Sequence, residues 1–126
     1  MKLNLLKCVK AFDAIAEIEN LDTDFSTAHA LVMAKRELEP HVQFFSEKEL
    51  ELAKLYGKRG ENGALILDGN RFQIAPESRE IYRKKRNGLN LVMVDVTRRT
   101  ITPPVNVKPS VLEALMEIFD FKEDKP

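Results

Sequence analysis

The stretch "KLYGKRGENGALILDGNRFQI", residues 54–74, holds four of the five glycines of a 126-residue chain. Its reading decides the fold, because Gly57, Gly60 and Gly63 either cradle a phosphate or close a helix. A phosphate-cradling loop sits between a strand and the N-terminus of a helix, where free N–H groups and the positive end of the dipole meet the anion. Here the order is reversed, and the spacing matches neither the P-loop nor the dinucleotide fingerprint. We therefore read the end of a helix turning into a hairpin. Gly57 is expected as the left-handed residue after the last helical turn, with Lys58 and Arg59 as cations near the negative end of the dipole. The hairpin spans 64–74, its two β-prone runs joined through Asp68-Gly69, a dipeptide suited to a tight two-residue turn.

Upstream, Asn4 can cap a helix near 5–20, along which Leu5, Val9, Phe12, Ile15 and Ile18 recur at three and four. A second helix is expected over 27–56, capped by Ser26. At 1.5 Å per residue it would run about 45 Å, with a kink or break near Leu38 ahead of Pro40. Leu31, Leu38, Phe45 and Leu52 fall seven apart along it, the spacing of a packing or assembly seam. A helix this long outruns a small domain, so self-association through an exposed part of the seam stands beside packing within the chain.

Downstream, Pro76 opens a third helix over 77–86 that Asn87-Gly88 should stop. Branched apolar residues at 89–96 argue for a strand, extended through Thr100-Ile101-Thr102 and ended by Pro103-Pro104. Val105-Asn106-Val107 reads as extended, Pro109 opens a last helix over 109–119, and 122–126 reads as a frayed tail. The sum is one α+β domain over 1–121: a long amphipathic helix, shorter helices and a small antiparallel hairpin or sheet.

Twenty basic and twenty acidic residues balance over the chain, so nothing in the total demands a polyanionic partner. The balance is uneven along the chain. Residues 61–108 carry nine Lys or Arg against five Asp or Glu, and residues 109–126 carry two against five. No window approaches the roughly 20 apolar residues of a membrane helix, and the N-terminus has no signal-like run. The single cysteine, Cys8, cannot pair internally and reads as a small buried hydrophobe, which suits a reducing cytoplasm.

The long helix ending in "KLYGKRGENG", the hairpin "LILDGNRFQI", the strand "LNLVMVDV" and the final "VKPSVLEALMEIF" together resemble a widespread group of small uncharacterised proteins of tailed phages and prophages. The likeness covers residues 25–121. It implies no catalytic residues and no assigned activity. It suggests an accessory protein of the bacterial cytoplasm, acting in assembly or by binding a host factor.

The remaining chemistry is sparse. His29 and His41 lie twelve apart, too far for a one-turn metal pair, and a Cys8–His nucleophile has no local signature around it. Asp13, Glu17, Glu37 and Glu39 are spaced like solvent-facing helix charges. The sharpest charge feature is Arg79, Arg83, Lys84, Lys85 and Arg86, with Arg98-Arg99 as neighbours if the fold brings them close. That cluster is either a phosphate-contacting patch or a cationic helix end balanced by acidic residues of the second helix or by the acidic tail of another chain. The sequence thus points to a non-enzymatic protein with no cofactor or metal, acting through a protein partner, itself or a host factor. Nucleic-acid binding through residues 79–86 is the alternative.

Overall fold

In the computed structural model, which describes residues 1–69 and 71–122, Asn4 caps the first helix as its side chain accepts from the Lys7 N–H at 2.8 Å. Helix α1 runs Leu5–Ile18, two residues short of Asn20. The next cap is Asp24 rather than Ser26. Its carboxylate takes the Thr27 N–H at 3.1 Å, and α2 starts at Phe25. Helix α2 then continues for 32 residues to Tyr56, through Pro40, so that of the expected kink or break near Leu38 a break does not occur. Pro40 lies on the exposed side while Leu38 and Phe45 are buried on the other. The hydrogen bond it removes therefore falls on the water-facing side, and packing holds the helix across it.

Gly57 ends α2, although not in a left-handed conformation: its φ is −69° and its ψ 144°. Glycine is needed there for closeness. A Cβ would stand 2.3 Å from the Ala53 carbonyl oxygen and 2.6 Å from Leu65 Cδ2. Beyond it the chain bridges back on the hairpin formed by β2 (Leu67–Asp68) and β3 (Arg71–Phe72). The Lys58 N–H donates to Gln73 O at 2.8 Å, Ile66 N–H to Lys58 O at 2.9 Å and Gln73 N–H to Ile66 O at 2.9 Å. Three extended segments thus hold one another by backbone bonds. Asp68 pairs with Arg71, so the turn closes one residue later than Asp68-Gly69, with Gly69 at φ 65°. No described residue between 54 and 88 is buried.

A 3-10 turn at Pro76–Ser78 leads into α3, Arg79–Asn90, which passes through Asn87-Gly88 instead of stopping there. Continuing costs about 1 kcal/mol for one helical glycine, and it seats Leu89 against Leu5 and Phe45 in a second apolar cluster. The expected strand over 89–96 shrinks to β4, Met93–Asp95. It pairs antiparallel with β1, Lys2–Asn4, a strand the sequence reading lacked.

Thr100 and Ile101 do not extend β4 but belong to β5, Arg99–Ile101. β5 pairs in parallel with β6, Phe119–Phe121, which takes the end of the helix expected over 109–119. The crossover between them carries α4, Pro109–Met116, as a parallel pair requires. Its first half is the loop after Pro103-Pro104, where Asn106 sits at φ 58° rather than extended. Lys122 is tied by its N–H to Ile101 O at 2.9 Å; the rest of the expected tail lies outside the described residues.

The main core forms where α1 packs between α2 and α4. Cys8, Ile15, Leu38, Ile101, Leu115 and Ile118 are wholly enclosed there. The architecture is α+β. No helix among the described residues is long and apolar enough to cross a membrane.

Candidate functional site

The seven-residue seam is occupied within the chain. Leu31 and Leu38 belong to the main core, Phe45 to the second cluster, and Leu52 packs against that cluster. What the seam leaves outward is a different set of residues at the start of α2. Phe25 is 95% exposed, and Leu21 and Val32 are 47% exposed. With Ala28 they border a cleft of about 420 Å³ whose charged residues are of both signs, among them Glu19, Lys35, Arg36 and Glu39. Leu21 also borders a second cleft of about 660 Å³, closed on its far side by Pro103, Pro104, Val105 and Val107. Leu21 is thus shared by the two hollows, while Phe25 and Val32 border the smaller one alone.

Hydrogen bonds fix the base of that ridge. Asp24, besides capping α2, accepts from Thr102 Oγ1 at 2.8 Å and faces Lys122 Nζ at 3.5 Å. Thr27, the one buried polar side chain among the described residues, takes the Thr102 N–H on its Oγ1 at 2.8 Å. Bonds from Thr27 and Thr102, helped by the Lys122 charge, hold the Asp24 carboxyl below the usual carboxylate range. Further along α2, Glu37 accepts from the Thr97 N–H at 2.7 Å and Thr97 Oγ1 at 2.8 Å. Burial pushes its pKa up, and the Thr97 bonds with the Arg99 charge outweigh that and lower it. Glu37 is therefore a tether for the turn before β5, not a solvent-facing helix charge.

The basic cluster divides. Arg86 pairs with Glu49 and lies 4.9 Å from the centre of the Phe45 ring, so it joins α3 to α2. Arg79, Arg83, Lys84 and Lys85 are exposed. Arg98 and Arg99 are occupied elsewhere. The Arg98 guanidinium donates to the carbonyls of Met116, Glu117 and Phe119 at 3.1–3.2 Å, sealing the end of α4, while Arg99 reaches Glu37. Arg59 does the same for α2, donating to Lys54 O at 3.0 Å. Beside α3 the hairpin leaves a cleft of about 660 Å³ bordered by Ala53, Arg71, Phe72, Tyr82 and Asn90. Through Ile74 and Tyr82 it adjoins another of about 470 Å³ that carries Lys58, Gln73 and Arg79.

The Cys8 thiol is enclosed in the main core, and burial, the largest cause, pushes it up to about 11. Neither histidine belongs to that core. Among the described residues no group of three or more His, Cys, Asp or Glu is placed to hold a metal ion.

Sequence reasoning missed Phe25 because it started the second helix at residue 27, two positions after it. The usable signal was its angular position. Stepping 100° per residue, Phe25 and Val32 fall about 100–160° away from Leu31, Leu38 and Phe45, so the helix start carries apolar residues that its own core does not use. No family model matches this chain, and neither a curated protein nor a solved structure matches it.

Proposed function

We propose that this chain is a non-enzymatic binding protein of phage type, working in the cytoplasm of a bacterial host through contact with another protein. Its docking surface is the ridge of Leu21, Phe25 and Val32, and its first partner is a second copy of itself. The observation that carries this reading is Phe25, an aromatic ring left 95% exposed at the first position of a capped helix. Burying such a side chain is worth about 1.5–3 kcal/mol, and contiguous exposed apolar residues with a polar rim mark interaction sites. The rim favours self-pairing. A two-fold interface must be complementary to itself, and charges of both signs, Arg36 with Glu39 and Asp22, surround the ridge.

Sedimentation over a dilution series tests this. Reversible self-association is expected, weakened at least tenfold by Val32→Asp and unchanged by Leu55→Asp, a 70% exposed apolar residue at the other end of α2. Equal loss in both variants would show that any exposed apolar residue suffices and would sink the assignment to this ridge.

A further inference from the structure

The clefts beside Tyr82 join groups that lie far apart in the sequence. Lys58 comes from the segment after α2, Gln73 and Arg71 from the hairpin, and Arg79, Tyr82 and Asn90 from α3. Among the described residues, the side chains of Lys58, Arg79 and Tyr82 make no hydrogen bond or ion pair, whereas Arg86, Arg98, Arg99 and Arg59 are all engaged. Tyr82 is half-buried between the two hollows: the larger holds Ala53 and Phe72 together with Arg71 and the Glu49–Arg86 ion pair, and the smaller holds Lys58 and Arg79.

We propose that this paired cleft binds a nucleotide, the base lying in the hollow between Tyr82 and Phe72 and the phosphate meeting Arg79 and Lys58. The chemistry matches at both ends. In the larger hollow the Asn90 amide nitrogen offers donors to a base edge, its Oδ1 already accepting from Arg86 Nε at 3.4 Å, and Gln73 stands in the smaller hollow beside the phosphate groups. Guanidinium groups recognise phosphate through paired N–H donors. Hollows of about 660 and 470 Å³ fall in the range of small-ligand sites, roughly 300–1,000 Å³. A concave site admits one base and excludes a duplex, so the nucleotide is either free or an unpaired residue of a single strand. This inference stands apart from the docking ridge and uses none of its residues.

The test is fluorescence anisotropy with a labelled mononucleotide and, separately, a labelled short oligothymidylate, on the full chain at low and moderate salt. Saturable binding is expected, weakened about tenfold or more by Arg79→Glu and by Tyr82→Leu, which keeps an apolar side chain at the half-buried position. Lys84→Glu is the control. Lys84 is two residues on from Tyr82, about 200° round the helix, so it should change binding by less than about twofold. Mononucleotide binding with this pattern assigns a free nucleotide, and oligonucleotide binding alone with the same pattern assigns a strand. The proposal is overturned if neither probe saturates, if Lys84→Glu weakens binding as much as Arg79→Glu, or if a poly-glutamate peptide displaces the nucleotide equally well. Circular dichroism of each variant shows that the loss is not unfolding.

Discussion

At the scale of single residues, Gly57 shows how a residue can be expected for one reason and required for another. Glycine after a helix suggests a left-handed turn, and Gly57 instead takes ordinary extended angles with no room for a Cβ. Gly57→Ala should therefore destabilise the chain by about 1–3 kcal/mol, the usual cost of overpacking, read from a urea melt; an unchanged midpoint would contradict the close approach. Only the folded backbone reveals this, because the crowding atoms belong to Ala53 in the last turn of α2 and to Leu65, eight residues on, where the chain bridges back. Asp24 carries a pH-dependent contribution. Its pKa is lowered in the folded chain, so its contribution is complete above the unfolded value of about 3.9 and drains away as the pH falls below that towards the folded value. Asp24→Asn keeps a capping side chain without the charge. Its melting temperature should lie below that of the parent at neutral pH, with the gap narrowing below about pH 4. The sequence reading put the cap at Ser26, two residues too late, and the bond from Thr102 to Asp24 spans 78 residues and had no local signature.

Among the elements, those with long periodic patterns were legible and those set by partners were not. The apolar spacing gave α1 and α2 to within two residues, since each helix satisfies its own backbone and needs only one apolar face. The strands β1 and β6 have three residues each and exist through β4 and β5, which lie about a chain length and a crossover away. The end of α3 was misread for the same reason. Asn87-Gly88 is a local stop signal, and Leu89 overrides it by packing on Leu5 and Phe45. Gly88 is thus a helical glycine in open space, and Gly88→Ala should stabilise by about 1 kcal/mol in thermal or urea melts. Pro40 in the exposed face of α2 predicts a like result. Pro40→Ala restores a helical hydrogen bond and should stabilise by about 2 kcal/mol after the entropy proline removes from the unfolded chain. A loss of stability in either variant would mean that the local backbone is not the regular helix described.

For the whole molecule, the division between used and unused surface carries the functional account. The seam read for packing or assembly, Leu31, Leu38, Phe45 and Leu52, serves packing inside the chain. Two parts of the remaining surface enter that account, the Phe25 ridge at one end of α2 and the hairpin clefts at the other. The basic cluster was legible as a cluster, yet its division was not, because Glu49 and the Phe45 ring that take Arg86 lie a helix away. The clefts were out of reach of sequence reasoning altogether, since they depend on how the hairpin folds back on α3. The central claim is that Phe25 stays exposed because another protein covers it. Size-exclusion chromatography with light scattering, on the parent chain and on Phe25→Asp at matched concentration, tests it most directly. The account predicts a dimer mass that rises with concentration for the parent, and a monomer of unchanged melting temperature for Phe25→Asp, since Phe25 contributes nothing to either apolar cluster. A parent chain that remains monomeric at its highest soluble concentration, or a Phe25→Asp variant that associates as the parent does, would contradict it.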